Sequence, residues 1–387
     1  SIFGANATLN IQPSENLFAE KIILEIEKID LLNLIKDNQI SNFDIINECF
    51  GHFVRENFRN NKEDAQYMTP AEIAIPLLEM VFSDFRKEQY FEKFGYESFT
   101  VMDPTCGVGT LLIEASRQYI QYVNTLDLPE ESKDKLIASF LETRMFGQDK
   151  VDRMVRLSKI NTLLIGGNIE NIFIGNSISE HTKIDYLKDS VDLIFTNPPF
   201  GAEYNYNDLI EGDFELLGQL SCQTTNICSE LLMLLKCLSL LKPNGKLVIV
   251  LPDSVFSAKG LNAQVRNLIL SHFKINAVIE MPAVTFAQAG TRTKTSILYL
   301  TKTAPNTENK ITMAICNDIG YTVKERIGVP VKITSGINEM NKVAQIYVEN
   351  NRNNQIASYA PSVTLIKKSE LIDEILNPSF YSADRLQ

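Results

Sequence analysis

Apolar residues recur at helical spacing over 17–36 (LFAEKIILEIEKIDLLNLIK) and again over 43–58 (FDIINECFGHFVRENF), with charges between them. This spacing predicts a small helical N-terminal region, closed by a polar stretch from Asn60 to Gln66. From Thr69 the pattern changes. Pro70 opens a helix that runs through IAIPLLEMVFSDF. FTVMDP (99–104) reads as a buried strand, TCGVGT as a glycine loop and LLIEASRQYIQYV as a helix. A charged, helical connector follows over 126–142. RMFGQD (144–149) is a strand ending in an acid, and VDRMVRLSKINTLLIGG is a helix closed by Gly166 and Gly167. NIFIGN and DLIFTNPPFG (192–201) are further strands. Residues 230–256 read as helix, Pro-Asn-Gly turn and strand, residues 263–272 as a helix, and AVIEMP and KTSILYLTK as strands.

Alternation of this kind argues for a parallel, doubly wound α/β sheet. Three regions follow: a helical N-terminal region over 1–66, an α/β domain over 67–302 and a C-terminal extension over 303–387. The extension has a weaker pattern, and its Asn-rich stretch ENNRNNQ (349–355) reads as a solvated loop.

Composition bounds the chemistry. The chain of 387 residues is 44% hydrophobic and 22% charged, which excludes disorder as the dominant state. Lys and Arg number 37 against 48 Asp and Glu, a formal charge of -11. Taken alone, that balance argues against a polyanion partner, because phosphate contacts need Lys and Arg. The 6 Cys form no CxxC pair and the 3 His lie apart from them, so the spacing supports neither a metal site nor a disulfide framework. Scattered cysteines fit a reducing, cytoplasmic compartment. The residues SIFGANATLN show no basic region followed by an apolar core, as a signal peptide would, and no apolar run is long enough to span a membrane. The chain begins with Ser1 rather than Met, which reads as a piece of a longer protein.

Three constellations carry chemistry. The first is Asp103-Pro104-Thr105-Cys106-Gly107-Val108-Gly109-Thr110, between a predicted strand and a helix. Glycines there let backbone approach a ligand, and the helix start offers free N–H groups. The bland reading is an ordinary strand-to-helix turn. The second is Asp149 at the next strand end, where an acid can take ribose hydroxyls or cap the following helix, or do both. The third is Asn197-Pro198-Pro199-Phe200. Two prolines after a buried strand force the chain out of the sheet in a fixed conformation. The Asn amide and a neighbouring carbonyl can then accept both hydrogens of an exocyclic amine, while Phe200 stacks on its ring. Its bland reading is a strand-terminating turn.

With these residues in place, the sequence resembles the adenine-N6 DNA methyltransferases, and specifically the modification subunits of type I restriction–modification systems. Met68-Thr69-Pro70, Asp103 to Thr110, Phe146-Gly-Gln-Asp149 with Asn161, Asn197 to Phe200, Lys242 to Pro252 and Thr295 to Leu298 match the family's motifs in order. The resemblance implies a Rossmann-like, S-adenosylmethionine-dependent methyltransferase sheet with a helical N-terminal region and a small C-terminal extension. It implies that Thr69, beside Pro70, touches the cofactor's methionine carboxylate. Asp103, Pro104, Thr105, Cys106, Gly107, Gly109 and Thr110 cradle the methionine part, and Asp149 binds the ribose. The position where relatives carry an acid for the cofactor's adenine amine is Asn176 here, whose amide can serve. Asn197 and the Pro198 carbonyl hold the flipped adenine amine, with Pro199 fixing the turn and Phe200 stacking. Phe286 is a candidate second aromatic wall, or else a core residue at a strand edge.

The resemblance also implies partners: double-stranded DNA, a specificity subunit or fused target-recognition domain, and a restriction subunit. The tail 367–381 resembles the opening of such a specificity region. Thr291 to Lys294 is a candidate phosphate contact or a solvated strand end. Two other classes stay open: transfer to another amine (guanine-N2 in ribosomal RNA, or a protein glutamine), and an inactive cofactor-binding subunit.

Overall fold

A computed structural model describes residues 69–209, 226–287, 293–326, 329–353 and 362–382, with Lys21, Leu24 and Gly218 besides. The chain divides into two units, 1–57 and 58–387. The helices expected over 17–36 and 43–58 lie outside the described residues, apart from Lys21 and Leu24, which are helical.

From Thr69 onward, helices and strands alternate. The first are α1 (Ala71–Lys87), α2 (Tyr90–Phe94), β1 (Val101–Asp103), α3 (Thr110–Asn124), α4 (Glu130–Thr143), β2 (Met145–Asp149), α5 (Asp152–Leu164), β3 (Ile172–Ile174) and β4 (Val191–Thr196). An antiparallel pair, β5 (Glu203–Asn205) with β6 (Asn226–Cys228), precedes α6 (Ser229–Leu240). Then come β7 (Leu241–Pro252), α7 (Asp253–Ser257), α8 (Leu261–His272), β8 (Lys274–Glu280), β9 (Thr295–Thr301) and β10 (Lys310–Ile315). A ribbon of β11 (Ile319–Arg326) and β12 (Val329–Asn338) leads to α9 (Glu339–Asn353) and β13 (Ser362–Lys367).

Among the described residues, nine strands form one sheet, in the order β13-β10-β8-β9-β7-β4-β1-β2-β3. Strands β1, β2, β3, β4 and β7 run parallel, as expected. β9 runs antiparallel to both β7 and β8, and β13 antiparallel to β10. The all-parallel expectation is therefore corrected to a mixed sheet. An apolar run such as TSILYL reports burial on both faces but not strand direction. The Pro-Asn-Gly turn is absorbed into the start of β7. Asn244 takes a φ of 66° there, and the register against β4 shifts.

Side-chain alternation splits the core into two layers. On one face Leu193 and Phe195 of β4 and Val248 and Val250 of β7 pack with α1, α3 and α9 residues such as Leu77, Leu112 and Val343. On the other, Ile194, Leu247, Ile249 and Leu251 pack with Leu231, Leu235 and Ile269 of α6 and α8. Rings from α1, α2, β1's approach and α3 form an aromatic cluster on the first face. Phe85 and Phe99 meet edge to face at 5.4 Å, and Phe91 stacks on Tyr122 at 4.5 Å. Among the described residues, no helix is long and apolar enough to cross a membrane.

Residues 303–387, expected as an extension, supply two strands of this sheet and a helix on α1. The anchor is Asp84 of α1. Its Oδ2 accepts from Tyr299 (2.6 Å), Tyr347 (2.7 Å) and Asn276 (2.9 Å), and its Oδ1 accepts from Asn351 (2.6 Å). One buried carboxylate thus joins α1 to β8, β9 and α9. The Asn-rich stretch is corrected accordingly: 349–353 is the last turn of α9, and Asn351 faces Asp84 rather than solvent. Loss of the carboxylate orphans donors that cannot reach water. Asp84→Ala should lower the unfolding free energy by about 3–5 kcal/mol, since each orphaned buried donor costs about 1–3 kcal/mol. A urea-unfolding midpoint equal to wild type would remove Asp84 as the anchor.

Candidate active site

Strand order reverses at β1, with β2 on one side and β4 on the other. The loops leaving the carboxyl ends of β1 and β4 diverge there and leave a crevice, the usual ligand site of open α/β sheets. An open cleft of about 590 Å³ lies at this edge, lined among others by Pro104, Thr105, Asp149, Asn176, Pro198 and Tyr204. A larger depression of about 790 Å³, lined by Thr100, Arg144 and Ser190, opens where β1, β2 and β4 begin. It contains none of the predicted site residues, so size is a poor guide here.

The glycine loop is fixed from several sides. Asp103 is 2% exposed, and its Oδ1 accepts from the Thr105 backbone N–H (3.0 Å) and the Thr196 hydroxyl (2.7 Å). Burial pushes the Asp103 carboxyl up to about 7, against the pull of those two donors. Asn161 of α5 donates to the Val108 carbonyl at 2.8 Å, which gives the late Asn of that helix a physical role. Gly109 has a φ of 88°, and a Cβ on it would lie 2.7 Å from Ser158 Oγ. Helix α5 therefore approaches the loop as closely as a hydrogen atom permits. Cys106 is buried, its backbone N–H donates to the Gln148 carbonyl at 2.8 Å, and burial holds its thiol well above the usual range. Thr110 begins α3 and is buried.

Asp149 bridges two loops: its Oδ2 accepts from Gly107 N–H (2.9 Å) and its Oδ1 from Val151 N–H (2.8 Å). The cap expected of Asp149 is not formed: Val151 is the N-cap of α5, without a side-chain cap bond, and Asp149 instead closes a turn just ahead of the helix while standing in the cleft wall. Asn176 also lines the cleft, but its amide is engaged. Its Oδ1 accepts from Ile178 N–H at 3.0 Å and its Nδ2 donates to the Tyr204 hydroxyl at 3.2 Å.

The Asn197–Phe200 segment leaves the last fully buried strand of the switch point. Asn197 is 5% exposed, and its side-chain amide makes no hydrogen bond among the described residues. Pro198 is buried and Pro199 half-buried. The turn is clamped by α6. Ser229 Oγ donates to the Pro199 carbonyl (3.1 Å), Gly201 N–H to Glu230 Oε2 (3.1 Å) and Ser229 N–H to the Ala202 carbonyl (2.7 Å). Phe200 packs one side against the core and keeps the rest of its ring accessible. Phe286 is 3% exposed and belongs to that same core layer. Thr69 is buried and its hydroxyl has no hydrogen bond among the described residues; it lies just ahead of Pro70, the N-cap of α1. Lys294 bridges Glu280 and Asp253, so its ammonium is engaged by carboxylates; Thr291 and Arg292 lie outside the described residues.

A family model described as N-6 DNA methylase matches residues 41–384. The chain belongs to this family. Relatives of this chain include the EcoEI type I restriction enzyme methylase subunit of Escherichia coli. It is 28% identical over 210 residues, 54% of this chain and 39% of that one. The StySJI type I methylase subunit of Salmonella typhimurium is 24% identical over 281 residues, 71% of this chain and 47% of that one. The chain thus spans less than half the length of these two relatives. Among solved structures, the type I restriction-modification methyltransferase subunit of Streptococcus thermophilus shares the fold. Its TM-score is 0.59 at 19% identity, over 89% of this chain and 64% of that one. The family match runs through the tail 367–381, and the tail is built into the catalytic unit: Ser379 donates to Glu280 at the end of β8.

Some site residues escaped sequence reasoning. Thr196, Ser177 and Gln148 are buried polar groups beneath the cleft. Gln148 donates to Ser177 (2.6 Å) and Ser177 to the Pro104 carbonyl (2.8 Å), which ties the ends of β1, β2 and β3 together. The available signal was a polar residue closing an otherwise apolar strand. Gly109→Ala should cost the fold about 1–2 kcal/mol for the left-handed backbone alone, plus the clash with Ser158. Adding Ser158→Ala should recover only the clash. Thermal melts of the single and double variants check both halves, and an unchanged single variant would sink the argument.

Proposed function

We propose that this chain binds S-adenosylmethionine and moves its methyl group to N6 of adenine in double-stranded DNA, as the modification component of a restriction–modification system. The observation that carries this reading is Asn197, a 5% exposed residue directly before the cleft-lining Pro198, whose side-chain amide has no hydrogen bond among the described residues.

The cofactor fits the residues present. The Thr69 hydroxyl, without a hydrogen bond among the described residues, suits its carboxylate, and Asp149 stands at the cleft wall. When bound, it supplies an electrophilic methyl on sulfonium. The protein's task is then orientation. Adenine is swung out of the duplex, because its amine is unreachable in the stack. Asn197 Oδ1 and the Pro198 carbonyl accept the two amine hydrogens, which fixes the direction of the nitrogen lone pair. The open side of Phe200 stacks on the base, and the α6 clamp holds the turn still. Holding reactants in line contributes on the order of 7 kcal/mol or more without any general base.

The formal charge of -11 favours a division of labour in which a specificity subunit or fused target-recognition domain supplies phosphate contacts and sequence reading, alongside a restriction subunit. The purified chain, with and without such partners, is incubated with labelled cofactor and duplex DNA, RNA or protein. Label should appear in DNA at adenine N6. Label confined to RNA or protein would overturn the assignment. Asn197→Ala should reduce transfer by about a thousandfold while leaving cofactor affinity within about threefold. Undiminished transfer by that variant would remove Asn197 from the amine site.

A further inference from the structure

Asp103 ends β1 and Asn197 follows the end of the neighbouring β4, and the residue between them in space is Thr196. Thr196 is the last residue of β4 and is 0% exposed. Its hydroxyl donates to Asp103 Oδ1 at 2.7 Å and lies 2.6 Å from the Thr105 hydroxyl. The proton count fixes the direction of this chain. Thr196 spends its one proton on the carboxylate, so its oxygen accepts from Thr105. Thr105 in turn lines the cleft. Asp103 Oδ2 makes no hydrogen bond among the described residues, so a single oxygen stays available to a ligand while the other is held.

Building on the cofactor reading above, we infer that Thr196 is a positioning residue: its hydroxyl holds one oxygen of the Asp103 carboxylate and so leaves the other aimed at the cofactor's ammonium group. Apolar strand packing needs no hydroxyl here, since a valine of the same shape would fill the site. The hydroxyl is kept where a buried carboxylate needs a donor. Other charges near Asp103 work against its ionisation. Asp149 at the end of β2 raises it further, while the thiols of Cys106 in the same loop and Cys237 on α6 are themselves pushed up and remain neutral near pH 7. Thr196 and the Thr105 backbone are the groups that pull it down.

The sign of the effect follows. Burial raises the Asp103 carboxyl, and a donor lost from it raises the carboxyl again. A cation at Asp103 binds the ionised form, so its affinity falls as pH drops through the carboxyl's titration. Thr196→Val should move that fall to higher pH. For a shift of about one unit, cofactor affinity drops about five- to tenfold at pH 6–7, and the deficit closes by about pH 9. Thr196→Ser keeps the hydroxyl and should restore the wild-type profile.

Calorimetric titration with S-adenosylmethionine from pH 5.5 to 9 compares wild type, Thr196→Val, Thr196→Ser and Asp103→Asn. The cofactor's own titration is common to all of them and cancels in the ratios. Asp103→Asn should flatten the acid limb, which assigns that limb to Asp103. Melting temperatures verify that each variant is folded. A Thr196→Val profile identical to wild type overturns the inference and leaves the cofactor reading standing. So does a loss equal at every pH, which would mark Thr196 as packing only. A wild-type chain that binds no cofactor at any pH overturns the reading and the inference together.

Discussion

A carboxylate buried at the end of a parallel strand has to be compensated, and much of this site is arranged around that requirement. Asp103 leaves water at the switch point of the sheet. The groups that compensate it come from the residue that ends β4 and from the turn that begins its own loop. Because Thr196 is both donor and strand end, the distance between β1 and β4 at the cleft is set by a hydrogen bond as well as by the sheet ladder. The turn at Pro198 and Pro199 starts from that fixed point, and α6 clamps it from outside. The two halves of the cleft therefore share one reference atom.

A second compensated carboxylate, Asp84, does for the far side of the sheet what Asp103 does for the cleft. Its partners come from 192 to 267 residues further along the chain. Such a contact gives the C-terminal segment a fixed seat on α1, whose first turn follows Thr69. The ribbon adds to this: Lys332 pairs with Glu72, and Asn338 donates to the Glu72 carbonyl at 2.8 Å.

These two carboxylates also mark what sequence reading can reach. The strands DLIFT and LVIV, the glycine loop, Asp149 and the Asn-Pro-Pro-Phe turn were legible, because each is a local pattern with a local cause. The partners of Asp84 were not, since a hydrogen bond across more than two hundred residues leaves no periodicity. Thr196 was hidden for a related reason: a Thr at the end of an apolar strand is ordinary for packing, and only its neighbour on β1 gives it a second role. Asn351 was read as solvated because a run of Asn and Arg looks like a loop. It is polar for the opposite reason, because it faces a buried charge. Phe286 shows the limit of reading an aromatic near a motif, since position along the chain does not tell which side of a sheet the ring fills.

The reversed strand β9 carries a consequence for how the molecule is made. It pairs with β7 on one side and β8 on the other, yet it leaves the ribosome after both. When β8 emerges, no sheet strand is adjacent to it, because β7 is a full strand-width away, and neighbouring strands sit only about 4.8 Å apart. Residues 274–280 must wait with open backbone groups until 295–301 slides into the gap. After β1, the strands of the parallel half each follow a neighbour already made, whereas β8 gains its first sheet neighbour only with β9. During translation that slot is an exposed template for β-pairing, open to another nascent chain or to a chaperone until β9 fills it.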